Sequence, residues 1–156
     1  MGRTPARPGQ VALRRGRASL PYHYYLVTTV TDGRRPIFLD TFLGRVVVRA
    51  LRRMEPLAAT KCFVVMPDHL HWLFQLNDAT SLSRLIQRLK AGTAREICST
   101  TSHTAPIWQR GFHDHAIRGD EDLRALARYV IANPLRAGLV SRIGDYPLWD
   151  AVWVEG

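Results

Sequence analysis

Two strand-like runs, Leu57 to Met66 (LAATKCFVVM) and His69 to Leu76 (HLHWLFQL), are separated by Pro67 and Asp68 alone. A two-residue link leaves no room for a crossover, so the runs must pair as an antiparallel hairpin, although Pro-Asp is not the turn such hairpins favour. Side chains alternate along a strand, so this pairing divides HLHWLFQL into two faces. Leu70, Trp72, Phe74 and Leu76 form a face fit for a core. His69, His71, Leu73 and Gln75 form the other, expected to lie on an open side of the sheet. Its two imidazoles have α-carbons about 6.6 Å apart, within reach of one cation.

The flanking segments complete a sheet around the hairpin. YHYYLVTTV (Tyr22 to Val30) is rich in aromatic and β-branched residues and runs into Asp32-Gly33, which predicts a strand ending in a turn. Leu43, Val46, Val47, Ala50, Leu51 and Met54 recur at helical spacing behind a capping Asp40, and Pro56 ends that helix. Leu82, Leu85, Ile86, Leu89 and Ile97 mark a second helix from about Ser81 to Cys98, with Gly92 weakening its middle. IWQRGFHDHAIR (Ile107 to Arg118) reads as a further strand, and Asp120 is the expected cap of a third helix that must bend or restart at Pro134 and finish at Gly138. The order predicts an α+β fold: a ferredoxin-like βαββαβ sheet with an added C-terminal helix.

Length and charge narrow the class. A chain of 156 residues with 46% hydrophobic content suits one folded domain. The reading divides it into a basic flexible arm at 1–20, a domain at 21–140 and a C-terminal tail at 141–156. The net charge is +9, and the cations are almost all arginine, Lys61 and Lys90 being the two lysines. Such a field favours a polyanion, nucleic acid first, because guanidinium forks match phosphates and positive charge drives counterion release. Cys62 and Cys98 lack any metal-binding spacing and read as reduced thiols. No apolar run is long enough to span a bilayer, so no membrane partner is expected and the location is read as cytoplasmic, nucleoid-associated through DNA.

The chemistry rests on what faces the histidines. A His-x-His triplet is weak by itself, and His113-Asp114-His115 is a second one. Tyr129 and Asn133, however, are spaced i, i+4 beside the apolar stripe of the third helix, so a phenol and a carboxamide point the same way. Two imidazole nitrogens and one amide oxygen leave open positions on a divalent ion, which could polarise a DNA phosphate while a tyrosine oxygen attacks the phosphorus in line. A ligand set without carboxylates keeps the ion's charge unneutralised and would help a phenol lose its proton. Mg2+ or Mn2+ suits an oxygen-donating substrate. Energy conserved in a phosphotyrosine removes any need for a nucleotide cofactor.

At these residues the chain resembles the single-tyrosine HUH transposases. MPDHLHWLF is similar to their MPNHxH segment, RYVIANPLRAGLV to RYIxxNPVRAGLV, and IWQRGFHDHAIR to WQRGYxDHxIR, over roughly residues 22 to 140. The branch it resembles most is that of the REP-associated tyrosine transposases, which process repeated extragenic palindromes. The resemblance implies that His69, His71 and Asn133 are metal ligands and that Tyr129 forms a 5′-phosphotyrosine with single-stranded or hairpin DNA, freeing a 3′-hydroxyl. The family's usual Asn before the first histidine is Asp68 here, and its usual Val after the proline is Leu135.

Supporting roles are read from charge and analogy. Arg110, Arg118 and Arg136 are candidate phosphate clamps, Trp108 and Phe112 candidate base-stacking groups, and Arg14, Arg15 and Arg17 candidate contacts to a hairpin stem. Two rival functions stay open: a sequence-specific DNA-binding protein of the same fold that does not cleave, and a metal phosphodiesterase using water. Neither a monomer nor a homodimer is excluded, and His113 with His115 remains the rival metal pair.

Overall fold

A computed structural model describes residues 19–119 and 121–154. Arg14, Arg15 and Arg17, with most of the expected basic arm, lie outside the described residues, as does Asp120. The elements are β1 (Tyr24–Val30), α1 (Thr41–Arg53), β2 (Ala58–Met66), β3 (His69–Leu76), α2 (Leu82–Thr100), β4 (His113–Ala116), α3 (Leu123–Ile131), α4 (Asn133–Arg136) and β5 (Trp149–Ala151). They form one sheet in the order β4-β1-β3-β2-β5, every neighbouring pair antiparallel. The first four strands have the ferredoxin-like order that the sequence predicts. Within the expected tail, Trp149–Ala151 forms a fifth strand on the β2 edge.

Capping explains where the helices begin. Asp40 accepts from Phe42 N at 3.0 Å, and Ser81 from Arg84 N at 3.2 Å. The third helix is capped by Asp122, whose carboxylate accepts from Arg124 N and Ala125 N at 2.9 and 3.2 Å. The cap therefore stands two residues later than the expected Asp120, because it must reach the donors of the first turn. As foreseen, that helix breaks, at Ala132, and α4 restarts with Pro134 in its first turn. Gly138 then takes a φ of +72°, a left-handed conformation suited to glycine at a helix end. No helix among the described residues is long and apolar enough to cross a membrane.

Both faces of the sheet carry a core. Tyr25, Val27, Phe63, Val65, Leu70, Trp72 and Phe74 pack against α1 and α2 in the larger one. Trp108 and Phe112 are buried there as well, and the indole of Trp108 donates to Thr93 Oγ1 at 2.9 Å, so neither is free to stack a base. The smaller core lies on the opposite face, where Cys62, Val64, Met66, Leu73 and Ala151 meet Ala127 and Val130 of α3. The side expected to be open is thus half covered. A bulge in β2 decides which of its residues face α3: Thr60 pairs with Phe74 and Cys62 with Leu73, so Lys61 is the extra residue and the alternation shifts by one. Cys62 is fully buried, and burial pushes its thiol up to about 12.

The C-terminal segment is bound into this body. Leu148 is buried against α1, its carbonyl accepts from Val65 N at 2.8 Å, and the Tyr146 hydroxyl donates to the Val65 carbonyl. A Cβ on Gly44 would overlap the Leu148 side chain, so glycine in the first turn of α1 makes room for the returning chain. Leu148→Ala is expected to cost about 2–5 kcal/mol. Gly44→Ala should destabilise the native chain by about 1–3 kcal/mol but stabilise the Leu148→Ala background by up to about 1 kcal/mol. Urea unfolding of the four proteins in this double-mutant cycle checks the change of sign.

Candidate active site

The two histidines sit on β3, the central strand, opposite β1 on one side and β2 on the other. His69 pairs with Val30 and Met66, and His71 with Thr28 and Val64. Toward β2 the face is closed by α3. Toward β1 and β4 the outward residues Tyr24, Leu26, Thr28, His113 and His115 are only partly buried or exposed. The imidazoles stand at the border between the covered and the accessible half of the face.

Their ring centroids are 4.7 Å apart and their planes nearly perpendicular, at 84°. Each ring is tied by its Nδ1 atom, His69 to Asp68 Oδ1 at 2.6 Å and His71 to Thr28 Oγ1 at 2.8 Å. That arrangement leaves both Nε2 atoms as candidate metal donors, with the second nitrogen of each ring held by the protein, as metal-binding imidazoles commonly are. Burial first, then electrostatic interaction with its neighbours His69 and Arg136, lowers His71 to about 4, so it is neutral at ordinary pH and its lone pair is available. Burial acts to raise the Asp68 carboxyl, but the hydrogen bonds and charges of His69 and Arg34 outweigh it and hold the group below its ordinary value. Among the described residues no three His, Cys, Asp or Glu side chains form a metal-binding group. A third protein donor at this pair would therefore be of another type.

Asn133 has that chemistry. It opens α4 just beyond the break, its amide nitrogen donates to Val130 O at 2.6 Å, and its oxygen is left to accept or to ligate. Tyr129 is on the last full turn of α3 beside buried Val130, and it is 65% exposed, which leaves the phenol accessible to a substrate. Arg136 links the two halves of the site. Its guanidinium lies 4.0 Å from the centre of the Tyr129 ring, and its charge is felt at His71.

The other candidates are placed elsewhere. Arg110 lines a cleft of about 470 Å3 against α2, on the side of the larger core. Arg118 follows β4, where its backbone N–H donates to Glu121 Oε1 at 3.0 Å. No described contact brings Arg110 or Arg118 to the histidines. His113 shares a face with Thr28 and His71, two strands from the latter, and so about 10 Å away. His115 is engaged by Glu121 at 3.0 Å, a partner that the rival pair would have to give up to bind a metal. Thr28 and Arg34 were not legible as site residues in the sequence. The only signals were the two-residue periodicity of β1 and the Asp-Gly turn that precedes Arg34.

The fold thus sets two imidazoles on the central strand of a ferredoxin-like sheet and an accessible tyrosine on the helix that covers part of the same face. The sequence profile of the IS200-like transposases matches residues 19–133, and the chain belongs to that family. It is 34% identical over 99 residues to a Haemophilus influenzae protein assigned to the REP-associated tyrosine transposases, covering 56% of each chain. It is 33% identical over 90 residues to the REP-associated tyrosine transposase of Escherichia coli K12, covering 54% of this chain and 49% of that one. The chain thus spans about half the length of the curated relatives it matches. A solved REP-associated tyrosine transposase bound to a REP hairpin shares the fold with a TM-score of 0.69 at 24% identity, covering 87% of this chain and 81% of that one.

The depressed His71 has a measurable consequence. Its value is about 4 in the folded protein against an ordinary 6.5, so the unfolded chain takes up this proton first as pH falls. The stability associated with the neutral ring is fully present above pH 6.5 and declines toward pH 4, by up to about 3 kcal/mol. Urea-unfolding midpoints across that window should fall in the native chain and fall less in His71→Gln.

Proposed function

We propose that this chain is a metal-dependent transposase that nicks single-stranded DNA and transfers the strand through Tyr129, acting on hairpin or REP-type palindromic DNA. The observation that carries the reading is Arg136, whose guanidinium is in contact with the Tyr129 ring and acts on His71, so that phenol and imidazoles share one electrostatic neighbourhood. Family membership and likeness to REP-associated tyrosine transposases support the same reading.

His69, His71 and Asn133 would hold the cation through two Nε2 atoms and one amide oxygen. Mg2+ or Mn2+ bound there would polarise the scissile phosphate as a Lewis acid. Tyr129 supplies the nucleophile. Its oxygen forms a bond to phosphorus as the bond from phosphorus to the 3′-oxygen breaks, giving a 5′-phosphotyrosine and a free 3′-hydroxyl. The proton lost by the phenol is balanced by the one gained at the departing 3′-oxygen. Because one phosphoester replaces another, a later 3′-hydroxyl can reverse the step and join a new strand without a nucleotide cofactor. Arg136 orients the ring by a cation–π contact and adds positive charge where the phosphate must sit. The accessible half of the face, toward β1 and β4, offers the strand a path, and the +9 net charge favours its approach.

The decisive experiment incubates the protein with end-labelled hairpin DNA and Mn2+ and looks for a protein–DNA adduct that survives denaturation. The native chain forms it and Tyr129→Phe does not. Arg136→Gln should slow adduct formation about 100-fold. Cleavage without an adduct would favour water as the nucleophile, and binding without cleavage would favour a non-cutting DNA-binding protein.

A further inference from the structure

We propose that Asp68, braced by Arg34, is a positioning residue that selects the tautomer of His69 and so presents its Nε2 lone pair toward the site. The inference rests on the metal-binding reading of the histidines and goes beyond it in assigning a task to two residues outside the donor set.

The two Nδ1 bonds differ in what they dictate. His71 is tied to the Thr28 hydroxyl, which can either donate or accept and therefore leaves the choice of tautomer open. His69 is tied to a carboxylate at 2.6 Å. An ionised carboxylate only accepts, so the hydrogen must be on Nδ1 of His69 and the lone pair on Nε2. The amide of an asparagine, usual at this position in the sequences the chain resembles, could accept through its oxygen or donate through its nitrogen, and would not force that outcome.

The carboxylate is held at both oxygens. Its second oxygen receives Arg34 Nη1 at 3.3 Å. The Asp68 carbonyl accepts from Thr31 N at 2.9 Å and from Thr31 Oγ1 at 3.1 Å, which fixes the main chain beneath it. Arg34 reaches Asp68 from a tight turn in which Gly33 and Arg34 have φ values of +62° and +51°. The second is a conformation that a residue with a Cβ seldom adopts. Thr31 Oγ1 also contacts Arg35 O at 2.8 Å, and Arg35 Nε donates to Asp32 O at 3.2 Å, closing the turn on itself. Arg34 is the more exposed partner, with 68% of its side chain accessible against 26% for Asp68, so its contribution is the smaller.

The test uses the full chain, free of metal and DNA, so that it does not depend on cleavage. Two-bond 1H–15N correlation spectra at a pH above imidazole titration report the tautomer of each histidine, with His69→Gln used to assign the signal. The native protein is expected to show His69 as the Nδ1–H form. Asp68→Leu should move it to the Nε2–H form or a mixture, Asp68→Asn should give a smaller shift, and Arg34→Gln a smaller one still. The His71 signal, unchanged, verifies that the sheet is intact. Mn2+ titration of the same proteins should show affinity weakened about 10–100-fold in Asp68→Leu, with Asp68→Asn retaining part of it. A native His69 in the Nε2–H form, or a His69 signal that Asp68→Leu leaves in place, would overturn the proposal. Failure of the native chain to bind Mn2+ would instead overturn the metal-dependent function, while the spectra still decide the role of Asp68.

Discussion

The site depends on a hairpin tip that cannot slip. Pro67 and Asp68 join β2 to β3 with no spare residue, and neither has the positive φ of the turns that match strand twist. The tip is stabilised from outside instead. The Pro67 carbonyl accepts from Phe38 N at 3.0 Å, and the Asp68 carbonyl from Thr31 N. A register change of one residue would send His69 and His71 into the larger core and Leu70 and Trp72 to the surface, so the burial of Leu70, Trp72 and Phe74 opposes it. Apolar packing on one face of β3 thus aims the imidazoles on the other.

From that constraint the local electrostatics follow. The histidines lie where α3 stops covering the sheet, close enough to its core that His71 is driven neutral, yet next to a face that substrate can reach. Basic groups surround them: Arg34 at Asp68, Arg136 over Tyr129. Arg34 is paired with the Asp68 carboxylate, whereas Arg136 stands against the Tyr129 ring and near the neutral His71. On the function proposed above, a phosphodiester would meet its positive partner at Arg136.

The covering helix and the C-terminal strand are parts of one device. β5 pairs with β2, and Ala151 joins Ala127, Val130 and Val64 in the smaller core, so β5 supports the helix that carries Tyr129. The bulge at Lys61 sets which residues of β2 do so, turning Cys62, Val64 and Met66 toward α3 while Phe63 and Val65 face α1 and α2. With unbroken alternation from Thr60, Phe63 and Val65 would face α3 instead. The break at Ala132, in turn, lets Asn133 begin a new helix instead of continuing the old one.

Local pattern was enough for the order of the first four strands, for the two faces of β3, for α1 with its cap Asp40 and for α2 from about Ser81, and for the grouping of His69, His71, Tyr129 and Asn133 as candidates. These features depend on period-two and period-3.6 alternation, on turn residues and on motif spacing, all carried by neighbouring positions. Four things were settled only by packing: the half-closed outer face, the burial of Trp108 and Phe112, the fifth strand, and the roles of Thr28 and Arg34 beside the imidazoles. Each joins residues far apart in the chain, such as Arg34 to Asp68 or Leu148 to Gly44. Amphipathic periodicity tells which side of an element is apolar, whereas which element comes to cover it is decided by the competition for that surface in the folded chain.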